Sequence, residues 1–423
     1  MPNDFRPVLC AVVVGGGPAG LIAAEMLALR GIAVSVYDHM PSVGRKLLLA
    51  GRSGLNLTHS EPLDELLDRY GDSRASLEDA VHAFGPEQLR AWAAGLGEDT
   101  YIGTSGRVFP DSWRATPLLR AWLRRLGALG VQVYPRHRWN GALTAVDGKP
   151  HGHSLQFAQV DGSTVEVSAD IVVLALGGAS WPRVGSDGHW VEALREHGVR
   201  VNDLLPSNVG MLIDWSAHFV DRFEGVPLKN LSITVDDVTV RGDVMVTARG
   251  LEGLPVYSHS AAVRESIADA GSATFVIDLH PDLEESALVR RLGKRRPKDS
   301  VTNWLRRSAG LSPVAIGLMR ECTGNVLPND APGLASLMKH LDLVIHATAG
   351  IERAISSAGG VSLDEVDDRF MLRKVPGVFV AGEMLDWDAP TGGYLLQASF
   401  STGVAAANGA LEWSRLVGGG PHR

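Results

Sequence analysis

The sequence predicts an α/β protein. A doubly wound domain is split between the two ends of the chain and interrupted by a β-rich insert that carries a small helical lobe. Three observations carry this. A buried strand, a glycine turn and a helix run in succession from Val8 to Leu29. A second strand ending in glycine, Val378 to Gly382, precedes a long helix-forming tract near the C-terminus. Between them, from about Val199 to Ala349, the pattern changes to short alternating strands and interrupted helices. The expected partition is 1–198 with 350–423 for the doubly wound domain, 199–270 with 325–349 for the insert, and 271–324 for the helical lobe.

The whole chain bounds the reading. Its 423 residues are expected to form two or three domains. Hydrophobic residues make up 45% and charged residues 21%, which supports a large core and argues against disorder. Glycine contributes 48 residues, above the usual level of about 7%, as befits backbone that must approach a ligand closely. The net charge is −8 and no basic stripe stands out, so nucleic acid is excluded as an expected partner. The two cysteines, Cys10 and Cys322, form no C-x-x-C pair and no metal-ligand cluster. They read as small apolar residues of a reducing compartment, and no metal is expected. No tract approaches the roughly 20 apolar residues that span a bilayer. The apolar run Val8–Val14 ends in three glycines without a leader-cleavage pattern. The expected location is cytoplasmic.

The N-terminal elements follow in order. Val8–Val14 is short, apolar and β-branched, hence a buried strand. It enters Gly15-Gly16-Gly17-Pro18-Ala19-Gly20, and a helical pattern runs from Leu21 to Leu29 before Gly31. Ile32–Tyr37 is a second strand, stopping at Asp38. Gly15 permits the tight turn, Gly17 lets backbone approach a pyrophosphate, and Gly20 packs the helix on the strand. Pro18 and Ala19 begin a helix whose N-terminus favours phosphate. Asp38 stands near the spacing of an acid that accepts ribose hydroxyls. The next segment decides between dinucleotides. Gly44 to His59 reads as a long, glycine-punctuated loop rather than a second helix. Such a loop can run back over a long ligand, delivering Ser53, Asn56 and Thr58 to it. Arg45, Lys46 and Arg52 would stay near the phosphates. This favours FAD over NAD.

Further motifs follow: Gly106-Arg107-Val108-Phe109-Pro110, Val378-Phe379-Val380-Ala381-Gly382-Glu383-Met384-Leu385-Asp386, and Thr391-Gly392-Gly393-Tyr394-Leu395-Leu396-Gln397. With Gly44 to Thr58 they stand in the order of a known family. The chain resembles the bacterial FAD-dependent flavoproteins of the BaiN and aminoacetone-oxidase type over nearly its whole length, most weakly over 270–330. It departs from the family pattern at Gly54 and Leu55, where many members carry Arg-Cys, and at Leu395, usually asparagine. The resemblance implies a glutathione-reductase-type, Rossmann-like FAD-binding domain.

The C-terminal motif also has a physical reading. Phe370–Leu372 and Val378–Ala381 look like strands around a Pro376-Gly377 turn. Glu383 is placed to bond the ribityl chain or order water beside the pyrophosphate. Gly392 and Gly393 open a helix, roughly Leu396 to Leu411, with Tyr394 at its start. The helix N-terminus would face the flavin pyrimidine edge and stabilise negative charge there. Asp170 to Gly178 is a third buried strand, whose Gly177 and Gly178 leave room for cofactor contacts. Asp187-Gly188 opens the following helix, and His189 reads as a surface or capping residue.

Between the motifs, Arg114–Leu129 reads as an amphipathic helix and Val131–Tyr134 as a core strand. Gly141–Val146, Ser154–Val160 and Thr164–Val167 read as an antiparallel excursion with turns at Asp147-Gly148 and Asp161-Gly162. In the insert, Val209–Ile213, Leu231–Val235, Val238–Val240 and Val244–Thr247 read as strands. Leu283–Met319 reads as helices broken at Pro297 and Pro313. The cleft of the split domain with its insert is the default place for a small-molecule substrate.

The function expected is that of a FAD-dependent oxidoreductase with non-covalent FAD. The resemblance implies either reduction of an activated C=C bond with NADH or NADPH, or oxidation of a small amine by oxygen. A flavin-binding redox sensor is a third reading, and a tRNA-modifying flavoprotein a fourth, against which the acidic balance argues. No second G-x-G-x-x-G follows a strand and no redox cysteine pair exists, so disulfide reductase chemistry is excluded. Side-chain chemistry is barely legible. His59, Arg107 and Tyr394 are the candidates, with Asp386 and Asp388 in the same motif loops.

Overall fold

The computed structural model describes residues 9–146, 149–296 and 298–418. It divides into two units, Met1–Leu205 with Ser356–Arg423, and Pro206–Ile355.

The first unit is built on a five-stranded parallel sheet. Its spatial order is Val378–Val380, Ile171–Leu174, Cys10–Val14, Ala33–Asp38, Gln132–Pro135. All four residues of Ile171–Leu174 are buried, as expected of a strand covered on both faces. The helix Pro18–Ala28 follows the first strand, and its residues from Ala19 to Glu25 are all buried. The C-terminal helix, Tyr394–Gly418, crosses it closely. A Cβ on Gly403 would stand 2.5 Å from the Ala19 carbonyl oxygen. Only glycine there lets the two backbones meet. The antiparallel excursion is a three-stranded sheet of His137–Val146, Lys149–Gln159 and Thr164–Ala169. The turn expected at Asp147-Gly148 lies outside the described residues.

Two local expectations are corrected. The segment after Gly44 does not begin as loop: Arg45–Ala50 is a short helix, followed by a 3-10 turn, Gly51–Ser53. Gly44 turns the chain at φ +71°, and the run that follows, Arg-Lys-Leu-Leu-Leu-Ala, consists of strong helix formers. Phe370–Leu372 is not a strand of the sheet but makes isolated bridges, Met371 to Phe379 and Leu372 to Val366. Phe370 sits at φ +61°, which interrupts an extended run.

The second unit is a seven-stranded antiparallel sheet with helices on it. Its central hairpin is Pro227–Val235 with Val238–Thr247, turning at Asp236, φ +50°. The break expected between Val240 and Val244 is absent, and the first strand begins at Pro227 rather than Leu231. Ala273–Asp278, from the segment expected to be helical, pairs with Pro227–Val235 and with Leu341–Ile345. The helices Glu285–Leu292, Val301–Ser308 and Pro313–Cys322 share one hydrophobic core with this sheet. Pro313 begins its helix behind a Ser312 cap rather than breaking one.

Candidate functional site

A cavity of about 360 Å³ opens over the glycine turn of the first unit. Its walls include Gly15, Gly17, Pro18, Ala19, Asp38, Lys46, Gly177, Gly382 and Glu383. The three turn glycines differ in what surrounds them. A Cβ on Gly15 would lie 2.1 Å from the Ala175 carbonyl oxygen, and one on Gly20 would lie 1.9 Å from that of Gly15. Gly17 has no atom within 4 Å of where its Cβ would point. Gly15 and Gly20 are therefore packing glycines, while Gly17 leaves space for a ligand. The helix behind it has no side-chain cap, so its first-turn N–H groups remain available to an anion.

Asp38 ends the second strand with both carboxylate oxygens engaged. Oδ2 accepts from the Gly16 amide at 2.8 Å and Oδ1 from the Met40 amide at 2.7 Å. Burial pushes its pKa above the usual value, against the two amide bonds. Lys46 Nζ bonds Glu383 Oε2 and Ser180 Oγ, each at 2.6 Å. Glu383 Oε1 accepts from the Ser357 amide at 2.9 Å. The acid of the C-terminal motif is thus held by a cation from the segment after Gly44. Gly178 does not line the cavity; it packs against Ser357, whose Oγ would stand 2.4 Å from an added Cβ.

The far wall holds residues that sequence reasoning did not single out as ligand contacts: Tyr37, His39, Arg138, Ser186 and Asp187. Asp187 accepts from Arg138 at 2.8 Å and has His39 at 3.6 Å. Burial raises the Asp187 carboxyl, but Arg138 outweighs it and holds the pKa below the usual range. Burial, aided by Arg138, pushes the His39 imidazole below its usual value. The Asp187-Gly188 dipeptide was the one available signal for this wall. His189 is exposed beside it.

Two residues that line the cavity carry a buried polar atom without a hydrogen-bond partner among the described residues, Arg45 Nε and Ser186 Oγ. Leaving such an atom unpaired costs about 1–3 kcal/mol. A donor and a hydroxyl left open in the wall over an uncapped glycine turn fit a polar ligand with an anionic centre.

The remaining predicted residues stand outside the cavity walls. Ser53 lies in the 3-10 turn Gly51–Ser53. Thr58 is fully buried and donates to Gln397 Oε1 at 2.7 Å. Gly393, at φ +103°, lies so close to Thr58 that a Cβ would be 2.5 Å from its carbonyl carbon. Gly392, at φ +145°, lies under the Tyr394 ring. His59, Arg107 and Tyr394 do converge. His59 pairs with Arg107 across two antiparallel strands and stacks on Tyr394 at 5.4 Å. His59 Nε2 donates to the Ser105 carbonyl at 3.0 Å, and its Nδ1 accepts from the Glu61 amide at 3.2 Å, a pattern of the Nε2–H tautomer. The Tyr394 hydroxyl bonds Glu61, and burial, reinforced by Glu61, raises its pKa. Glu61 is also bonded by Arg69 at 2.9 Å. Arg107 makes no side-chain hydrogen bond or ion pair among the described residues. Asp386 accepts from Asn202 at 2.5 Å, and Asp388 from the Ala389 amide at 2.8 Å.

Comparison with known proteins adds to this geometry. The family description "HI0933-like protein Rossmann domain" matches residues 10–409. The chain is 25% identical over 419 residues to the 3-dehydro-bile acid delta(4,6)-reductase of Clostridium scindens, covering 95% of this chain and 98% of that one. It is 25% identical over 424 residues to the ribosomal RNA dihydrouridine synthase of Escherichia coli, covering 94% and 96%. Among solved structures, 3-ketosteroid delta1-dehydrogenase from Sterolibacterium denitrificans shares the fold, with a TM-score of 0.51 and 14% identity over 95% of this chain and 99% of that one. Among the described residues, no helix is long and apolar enough to cross a membrane.

Proposed function

This chain belongs to the HI0933-like family of Rossmann-type, FAD-dependent oxidoreductases, and on that premise we propose that it saturates a carbon–carbon double bond conjugated to a carbonyl in a small organic substrate, with NADH or NADPH as electron donor. One observation carries the choice of reaction. Two full-length relatives with very different substrates are both named for saturating such a bond: a delta(4,6)-reductase, and a synthase of dihydrouridine from uridine.

The residues present fit FAD. Gly17 and the uncapped helix start would receive the pyrophosphate, with Arg45 and Lys46 beside it. Asp38 retains lone pairs for ribose hydroxyls. Ser186 would complete its hydrogen bonding on the cofactor, and Glu383 would hold Lys46 in place. When bound, FAD supplies hydride transfer between a dihydronicotinamide and the double bond. The chain's part is to polarise the carbonyl. Tyr394 and His59 are already committed to Glu61 and Ser105. Arg107, whose side chain has no partner among the described residues, is the residue left to donate a hydrogen bond to the carbonyl oxygen; as a guanidinium it cannot supply the proton, which comes from solvent water.

The decisive experiment is anaerobic mixing with NADH or NADPH in the absence of substrate. The reading expects saturable bleaching of the flavin absorbance, then recovery on adding a cyclic enone. If both donors leave the flavin oxidised for minutes, the reductase reading fails, and peroxide release from small amines in air becomes the next measurement. The Escherichia coli relative favours a second reading, uridine in ribosomal RNA as the acceptor. Recovery of the bleached flavin with ribosomal RNA, and not with enones, would establish it over the first.

A further inference from the structure

The small antiparallel sheet of Thr58–His59, Arg107–Pro110 and Thr100–Ile102 carries three aromatic rings that the cofactor site does not use. Tyr101 and Phe109 are directly opposed across the two strands, so their side chains share a face. Their rings lie 5.9 Å apart. The Trp113 ring stacks on Phe109 at 4.6 Å and lies within 6.5 Å of Tyr101, with interplanar angles of 26° and 17°. Tyr101 is 40% exposed and Trp113 42%. Surface tryptophan at this exposure has lost the burial that normally stabilises it.

The backbone at Trp113 is also strained. Its φ is +63°, a region that bulky residues avoid and that costs about 1–3 kcal/mol. The strain sets the ring on Gly54, whose Cβ would stand 2.5 Å from it. The Trp113 carbonyl accepts from the Leu55 amide at 2.9 Å. The platform is therefore tied directly to the segment carrying Asn56. Arginines adjoin it. Arg114 follows Trp113, Arg52 lies beside Gly51, which abuts Ala115, and Arg107 shares a strand face with Phe109. No side chain of the three has a hydrogen-bonding or carboxylate partner among the described residues; Asp99 and Asp111 flank the hairpin, and Glu61 lies 3.6 Å from His59 on the neighbouring strand. In a chain of net charge −8, three unpaired arginines around a bare aromatic platform suit a planar ring that carries phosphate.

We propose that this face is a second nucleotide-binding surface, which holds the adenosine end of NADPH by stacking on Tyr101 and Trp113 and by pairing its 2′-phosphate with Arg52 and Arg114. The proposal rests on the nicotinamide-dependent reading above. It answers a need of that reading: the sequence has one glycine turn of the dinucleotide-binding type, and the cavity over it is the FAD site. A nicotinamide donor must then be held by other means.

The test uses the FAD-loaded full chain. Adenosine 2′,5′-bisphosphate is titrated by calorimetry into wild type, Tyr101→Ala and Arg114→Gln. Tyr101 and Arg114 are exposed, so the fold should persist. Wild type is expected to bind, and each variant to bind at least tenfold more weakly. KM for NADPH should rise by a similar factor at unchanged kcat. Flavin reduction by N-benzyl-1,4-dihydronicotinamide, which lacks adenosine and phosphate, should keep its wild-type rate. Equal bisphosphate affinity in all three proteins overturns the proposal. So does a changed flavin spectrum in the variants, which would give the face to the flavin itself. An oligoribonucleotide that binds the platform and is not displaced by the bisphosphate would give it to RNA and also overturn it. If neither nicotinamide reduces the flavin, the functional reading fails, while the bisphosphate titration still decides this surface.

Discussion

Gly17 and Gly20 stand three positions apart in one turn, and replacing them should fail for opposite reasons. Gly17 lies at φ −81°, an ordinary backbone, with open space on its Cβ side. Gly17→Val should leave the apoprotein within about 0.5 kcal/mol of wild type and abolish FAD retention. Gly20→Ala must push against the Gly15 carbonyl at 1.9 Å and should cost about 1–3 kcal/mol of stability by overpacking. Urea unfolding of the apoproteins, beside flavin content after purification, separates the two. Loss of stability in Gly17→Val would mean that the open space is not the ligand's. His39 gives the pH dependence. Its folded pKa lies below the ordinary value of about 6.5. Its contribution is therefore complete above pH 6.5 and is lost as pH falls toward the folded pKa, where a buried imidazole must take a proton beside Arg138. Between pH 7.5 and 5.5 the melting temperature should fall less steeply in His39→Gln than in wild type. Parallel slopes would remove His39 as a cause.

At the scale of elements, the buried amide of Gln397 joins three parts of the chain. Its oxygen accepts from Thr58, and its nitrogen donates to the Phe84 carbonyl at 2.7 Å and to Ser401 at 2.9 Å. The long C-terminal helix is thereby keyed to the strand Thr58–His59 at one level. Gln397→Leu would fill similar volume but strand the Thr58 hydroxyl, for about 1–3 kcal/mol. Gln397→Glu keeps an acceptor for Thr58 yet takes away both donors. Both should lower the urea midpoint; an unchanged midpoint in Gln397→Leu would show that the network contributes nothing net. The sequence foreshadowed this contact only in part. Thr58 was chosen because it ends a glycine-rich segment, and that segment was expected to run along the cofactor. The structure buries Thr58 instead, because the strand it begins pairs with Val108 and faces the helix. Short-range pattern reveals that a polar residue follows a turn; it does not reveal which long-range partner claims it. The places of Asp38 and Gly17 at the glycine turn were legible because they follow from local chain geometry. Arg138 and Asp187 were not legible as a pair, since they lie 49 positions apart and meet only once the antiparallel excursion folds back.

For the whole molecule, the parallel sheet was readable from four separate apolar runs, each ended by glycine or an acid. The insert was less so. Its strands alternate, but the segment around Ala273–Asp278 sits among helical patterns and joins the sheet by pairing that no local signal specifies. Flavin attachment is a property of the whole chain. Cys10 lies in the first strand, its Sγ 3.2 Å from Asp170 Oδ2, and Cys322 belongs to the second unit; neither lines the cavity. Acid or heat denaturation should therefore release all FAD to the supernatant. Flavin remaining on the precipitated chain would show a covalent link. The cavity draws Gly17 and Asp38 from the first forty residues but Gly382 and Glu383 from near the last forty. During synthesis the glycine turn emerges long before the strand Val378–Val380 and the helix that crosses Pro18–Ala28. Until both have emerged, the sheet lacks its Val378–Val380 strand and the helix Pro18–Ala28 lacks the helix that packs on it. A chain stopped short of residue 380 would lack the cavity wall that Gly382 and Glu383 form, and it should retain less flavin on purification than the full chain.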